Sequence, residues 1–427
     1  MLSPLSALSI FFTLLVAGMP IFLVLGVLAL ILFWAEGYPL IGFAQLFLDH
    51  LKSQTLIAIP FFVIAATFMQ RGGIAKALVD CAYSWVGGLR GGLALVCLLA
   101  TTLFAAISGS SVATAMAMGT LLVPAMLEKN YEKHFALGVV GASGTLGILI
   151  PPSLAMIIFA VIAEQSVPRL FLAGVIPGLL QAALFALWIV FYTRRRGYPR
   201  EQPLPRADLV RVNLRALPAM SLPVIVLGGI YSGIVTVTEA AGLAALSAVV
   251  ISLFCYKGCR MREVPAIMAQ SVKITAVIFF IIIGALAFGH WITSAGIADQ
   301  LVEFARERDL PAWQFLLLVN ALMLLLGMFL ETLAVILITV PVVLPLLEPL
   351  GIDPIHYAVV VTVNMELALL TPPIGMNLYV LSSITNSRLE TVARGVIPFI
   401  IIMLGLLFLV TFVPELSLFL PQWVYGK

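Results

Sequence analysis

Two stretches decide how this chain folds: Leu146-Gly147-Ile148-Leu149-Ile150-Pro151-Pro152-Ser153 and Leu369-Leu370-Thr371-Pro372-Pro373-Ile374-Gly375-Met376-Asn377. Each sets a Pro-Pro pair inside an apolar segment, and the pairs stand 221 positions apart. The same offset carries Pro124 to Pro345, Gly174 to Gly395 and Pro177 to Pro398, and Val175-Ile176-Pro177 returns as Val396-Ile397-Pro398. The chain therefore reads as two copies of one unit, each with a helix broken on purpose. Proline removes a backbone donor and clashes with the preceding turn. Within a bilayer, freed backbone groups survive only where they are buried in protein or line a cavity. Broken helices at matching places in two halves mark the binding site of a transporter.

Composition makes the setting a membrane. The chain is 62% hydrophobic and 10% charged, with mean hydropathy +1.15, against about 25% charged in soluble domains. Apolar runs long enough to span lie near 4–18, 20–34, 54–70, 135–162 and 170–193, then near 217–235, 239–256, 268–289, 356–384 and 395–413. The N-terminus lacks a basic region and a cleavage site, so it reads as a first membrane helix rather than a signal peptide. Seven arginines between Arg194 and Arg215 fill a polar stretch that divides the halves, and the excess of basic residues marks it as cytoplasmic. With that end inside, Arg71, Lys76, Arg90, Lys129, Lys133, Lys257, Arg260, Arg262, Arg388 and Arg394 also fall inside. This requires that 90–127 and 312–347 turn back at Ser108-Gly109-Ser110-Ser111 and at Gly327–Thr332. Both termini then lie outside, and the halves have opposite orientation.

The expected fold is thus all-α and polytopic: an inverted-topology repeat with two re-entrant helical hairpins and two discontinuous helices. The first repeat spans 1–193, with scaffold helices 4–34, a surface-lying arm 36–52 and a transport part 54–193 holding hairpin 90–127. A cytoplasmic linker spans 194–216. The second repeat spans 217–427, with scaffold 217–256, arm 258–268 and transport part 268–413 holding hairpin 312–347.

The hairpin tips and breaks carry the chemistry. A helix N-terminus offers free N–H groups and about half a positive charge, which suits a carboxylate. Glycines let the backbone approach an ion, and carbonyl and hydroxyl oxygens are hard ligands for sodium. The offset sets Glu331 opposite Ser110 and Thr332 opposite Ser111. Small residues also serve helix packing, but two tips and two breaks in register favour ion and solute binding. Three carboxylates stand in apolar segments. Glu239 is read as a helix cap or a coupling group, Glu331 as a member of an ion site or a brace for its tip, and Glu366 as a brace for the nearby break. A proton relay through any of them is a weaker reading.

Other chemistries find little support. Gly141-Ala142-Ser143-Gly144 has the form found around an intramembrane serine nucleophile. Such a serine needs a base, and His50, His134, His290 and His356 fall at helix ends or loops. No phosphate-binding GxxxxGK[ST] loop and no metal-ligand spacing occurs. Cys81, Cys97, Cys255 and Cys259 read as free thiols.

SGSSVATA at 108–115, GTLGILIPPS at 144–153, GIVTVTEAAG at 233–242, GMFLETLAVILITVPVVLP at 327–345 and LLTPPIGMNLYV at 369–380 together resemble the large membrane subunit of tripartite ATP-independent periplasmic (TRAP) transporters. The resemblance covers nearly the whole chain. It implies an elevator mechanism of the ion-transporter superfamily in the bacterial inner membrane, and symport with Na+ as coupling ion. It also implies a separate four-helix small membrane subunit and a periplasmic substrate-binding protein. Carried onto this chain, sodium site 1 uses Ser108, Ser111, Gly144, Gly147 and Pro151. Sodium site 2 uses Gly327, Thr332, Thr371 and Gly375. The solute lies near Ser110, Ser111, Thr332 and Asn377. The expected solute is an organic acid of the C4-dicarboxylate type. Two alternatives stay open: a stand-alone carboxylate or oxyanion exchanger of the same superfamily, and a TRAP permease for sialic acid or another acid. No enzymatic activity is expected.

Overall fold

The computed structural model describes residues 4–37, 39, 41, 45, 48, 54–198, 200 and 205–426. Among them the regular structure is helical, apart from one isolated bridge between Arg90 and Arg200. The first half runs α1 (Pro4–Val16), α2 (Ile21–Ala35), α3 (Gln54–Arg71), α4 (Ile74–Val86), α5 (Gly92–Ser108), α6 (Ser111–Glu128), α7 (Lys133–Thr145), α8 (Leu154–Ile162) and α9 (Val167–Arg196). The second half opens with α10 (Arg206–Pro223, continuing to Tyr231) and α11 (Val237–Val250, continuing to Cys255). It goes on through α12 (Val264–Ser294), α13 (Ile297–Glu307), α14 (Ala312–Gly327), α15 (Thr332–Leu347), α16 (Pro354–Ala368), α17 (Met376–Ile384), α18 (Leu389–Phe412) and α19 (Glu415–Tyr425). Seven of the described helical runs are long and apolar enough to cross a membrane. This is a multi-pass membrane protein.

Shifted by 221 positions, α5 to α8 fall on α14 to α17 to within two residues at every boundary. The segments 90–127 and 312–347 are helical hairpins, α5/α6 and α14/α15. The segments 135–162 and 356–384 are interrupted helices, α7/α8 and α16/α17. Both Pro-Pro bonds are cis.

Three helices lie outside the spans read from sequence: α4, α13 and α19. They are 11 to 13 residues long, too short to register in a search for spans. The 194–216 linker is also more ordered than expected. Helix α9 runs on to Arg196, and α10 begins at Arg206. Asn213 explains its early start. Its amide accepts from Trp85 Nε1 at 2.8 Å and donates to Ser84 Oγ at 3.1 Å, tying α10 to α4. The proposed arm 258–268 is not a separate helix. A short turn, Met261–Glu263, leads directly into α12. Most of its counterpart 36–52 lies outside the described residues.

The halves interlock. Helix α3 packs most extensively on α11, and α12 on α2. A Cβ on Gly72 would lie 1.9 Å from Ser252 Oγ, so only glycine admits α11 at the end of α3. Helices α7 and α18 cross backbone to backbone. A Cβ on Gly138 would lie 2.1 Å from the Gly395 carbonyl oxygen. The centre is formed by α7 and α16, in which every residue of 135–145 and of 355–368 is buried. A helix apolar on all sides belongs inside, and these two carry the breaks.

Candidate functional site

The first tip is built by its own hydroxyls. Helix α5 ends at Ser108, and Gly109 turns the chain in the left-handed region at φ 62°. Ser110 then caps α6, its hydroxyl accepting from the Ala113 N–H at 3.4 Å. Thr114 Oγ1 donates to the Ser110 carbonyl at 2.7 Å. Its proton being engaged there, Ser108 Oγ, 2.6 Å away, donates to Thr114 Oγ1. Ser108 and Ser111 are both buried.

The first break lies directly against this tip. A Cβ on Gly147 would stand 2.9 Å from the Ser110 carbonyl oxygen, and one on Gly144 3.0 Å from Ala115 Cβ. From the tip side, a Cβ on Gly109 would stand 3.0 Å from the carbonyl oxygen of Pro152, the residue after Pro151. These glycines keep two stretches of backbone within reach of a shared ligand. Ser153 holds the open turn, donating to the Ile148 carbonyl at 2.5 Å and capping α8. Ser108, Ser111, Gly144, Gly147 and Pro151 are thus drawn into one neighbourhood.

The second tip and break repeat the arrangement with fewer internal bonds. A Cβ on Gly327 would lie 2.6 Å from Ala368 Cβ at the end of α16. The Gly375 N–H reaches the Met328 carbonyl at 3.4 Å, and Thr371 Oγ1 donates to the Leu367 carbonyl at 2.7 Å. Gly375 takes φ 42°. Glu331 occupies the cap position of α15 without a side-chain capping bond. Thr332 Oγ1 is buried and has no hydrogen-bond partner among the described residues.

One bond joins the two assemblies: Asn377 Nδ2 donates to Ser111 Oγ at 2.7 Å, both side chains buried. The second break thereby meets the first tip. A cavity of about 50 Å³ lies between the tips, touched by Ser110, Ser111, Glu331, Thr332 and Leu369. Beside it, a cleft of about 350 Å³ runs from Ser108, Ser110 and Glu331 to the facing sides of α3 and α12. Asn377 Oδ1 is a second buried oxygen at this site without a partner among the described residues. Orphan buried acceptors call for a bound partner, and amide, hydroxyl and carbonyl oxygens are what a hard cation takes.

The three carboxylates part company. Glu331 faces both cavities. Glu239 stands apart: it forms a capping box, accepting from the Thr236 N–H at 2.8 Å. Its capping reading holds. Glu366 is fully buried in α16. Gln181, close to it, donates to Thr145 Oγ1 at 3.3 Å.

Several buried polar residues escaped the sequence reading, one of them at the first tip. Thr114 lies inside the quoted SGSSVATA motif, and its spacing from Ser108 and Ser110 was the available signal. Asn364 donates to the Asn320 carbonyl at 2.8 Å, and Asn320 to Thr411 Oγ1 at 3.1 Å, an amide chain inside apolar helices. Weighing carboxylates alone passed over these amides. Ser143 Oγ is buried without a hydrogen-bond partner among the described residues. All four cysteines are free.

Residues 8–416 match the family model described as the DctM component of the tripartite ATP-independent periplasmic transporter. The chain belongs to that family. It is 42% identical to the C4-dicarboxylate TRAP transporter large permease protein DctM of Pseudomonas aeruginosa, across 87% of each chain. It is 36% identical to the sialic acid TRAP transporter large permease protein SiaM of Vibrio cholerae, across 97% of each. Its fold resembles the crystal structure of the Alcanivorax borkumensis YdaH transporter, reported to have an unusual topology. That match has TM-score 0.62, 16% identity and 87% coverage of both chains.

Proposed function

We propose that this large permease carries out sodium-coupled uptake of an organic acid, best read as a C4-dicarboxylate, across the bacterial inner membrane by an elevator movement. The observation that carries the reading is the convergence of two tips and two breaks, joined by Asn377 and Ser111 and leaving buried oxygens free. The C4-dicarboxylate assignment leans on the Pseudomonas aeruginosa relative's name.

Sodium enters as cargo. The first tip and break would hold one ion through oxygens of Ser108, Ser111, Gly144, Gly147 and the Pro151 region. The second would hold another through Gly327, Thr332, Thr371 and Gly375. The solute carboxylate would lie against the free N–H groups at the starts of α6 and α15. An isolated charge at the bilayer centre is costly, so anion and cations travel together. Each net positive charge moved inward gains about 2.3 kcal/mol per 100 mV. The transport parts expected from sequence begin at 54 and 268; we set the boundary between still and moving parts later, after Arg71 and after Ser294, because α3 and α12 pack most extensively on α11 and α2. The moving part then contains both hairpins and both breaks. A separate four-helix subunit would sit on the still part, and a periplasmic binding protein would deliver the solute.

Reconstitution with both partner proteins tests this. Labelled succinate uptake should require all three proteins and an inward sodium gradient. Uptake by this chain alone, or driven only by protons, would overturn the tripartite sodium reading in favour of the stand-alone exchanger.

A further inference from the structure

The cleft beside the tips has a feature that the proposed sites leave unused. Its wall on α12 is formed by Lys273, Ile274, Val277, Ile278 and Ile281, spaced as one helical face. Its wall on α3 is Val63, Ala66, Thr67 and Gln70, again one face. Among the described residues Lys273 is the only cation lining this cleft. It makes no ion pair or hydrogen bond among the described residues, and neither does the Gln70 amide. The other polar groups here are already engaged: Thr67 Oγ1 donates to the Val63 carbonyl at 2.7 Å, Ser108 is bonded to Thr114, and Ser110 caps α6. Glu331 faces the cleft from the hairpin side. Lys273 and Gln70 are thus unspent donors on the still wall, opposite the moving tips.

We propose that Lys273, assisted by Gln70, binds the solute's carboxylate on the inner side of the cleft and receives it from the hairpin tips. This rests on the transport reading above. Both residues lie toward the helix ends that charge placement sets inside, where Arg71 donates to Gln270 Oε1 at 2.6 Å. A lysine near the end of a long membrane helix also extends to the headgroups for solvation alone. That competing role predicts no effect on solute affinity, and the experiment separates the two.

Purified permease with its partner proteins is reconstituted, and labelled succinate counterflow gives KM separately for solute inside and outside. Lys273→Gln should raise the inside KM about ten- to hundredfold, the range spanned by a charge-assisted hydrogen bond, with little change in the outside KM. Lys273→Arg should restore most of it. Gln70→Leu should move KM the same way by a smaller factor, and stands in if Lys273→Gln fails to assemble. Inside KM equal to wild type in Lys273→Gln, or in Gln70→Leu where it stands in, overturns the proposal while leaving the transport reading intact. A wild-type protein that moves no succinate under any sodium gradient takes down both.

Discussion

The bond from Asn377 to Ser111 shows how the repeat is made unequal by single residues. At the 221-residue offset Ser111 corresponds to Thr332 and Asn377 to Met156. The backbone pairing is kept, since α8 packs on α15 as α17 packs on α6. The thioether of Met156 cannot do what the Asn377 amide does, and Thr332 Oγ1 is left without a partner. Ser111→Ala would strand a buried amide donor, at a cost of about 1–3 kcal/mol. Initial uptake rates should fall about tenfold or more, with assembly preserved on gel filtration. Thr332→Val removes an orphan oxygen instead, so it should leave thermal stability within about 0.5 kcal/mol of wild type. Sodium-dependent stabilisation in a thermal-shift titration should nevertheless weaken. Glu366 makes the opposite case. A fully buried carboxylate is costly as a charge, so Glu366→Gln should unfold at the same temperature as wild type or higher in detergent melts, whereas Glu366→Leu takes away the polar neighbour of the Gln181 amide and should fall below both.

Among the elements, what could be read in advance was whatever has a period or an offset. Paired prolines announced the breaks between α7 and α8 and between α16 and α17, and glycine-serine clusters announced the tips. Helices α4 and α13 were invisible because each is short and only partly apolar, which resembles a connecting loop when spans are the measure. The register of α10 depended on Asn213 finding Ser84 and Trp85 across 128 residues or more, a tertiary contact no local pattern contains. Thr114 was overlooked because a threonine in a small-residue run looks like packing. The crossing of α7 and α18 leaves no room for a side chain. Gly138→Ala drives a methyl into the Gly395 carbonyl, and overpacking of this kind costs about 1–3 kcal/mol. A lowered midpoint of thermal unfolding in detergent would register it, with Gly405→Ala, which meets nothing within 4 Å, as the neutral comparison.

At the scale of the molecule, the orientation of the halves is open to chemical test. Cys255 is exposed, while Cys81, Cys97 and Cys259 are buried. It stands beside Lys257, Arg260 and Arg262, whose charge gives the expectation that this end faces the cytoplasm. A membrane-impermeant maleimide should therefore label the protein in inside-out vesicles and leave right-side-out cells unlabelled; the reverse would invert the whole scheme. Another consequence follows from the interlocking of the halves. Helix α3 rests on α11, α2 on α12, α7 on α18, and the second break on the first tip. Neither half closes upon itself. Two polypeptides divided between Arg196 and Arg206 should accordingly find one another when made in the same cell and restore transport, while either fragment produced by itself should be degraded. The joining stretch would then be a convenience of synthesis, and the true seam of the protein would run through its centre.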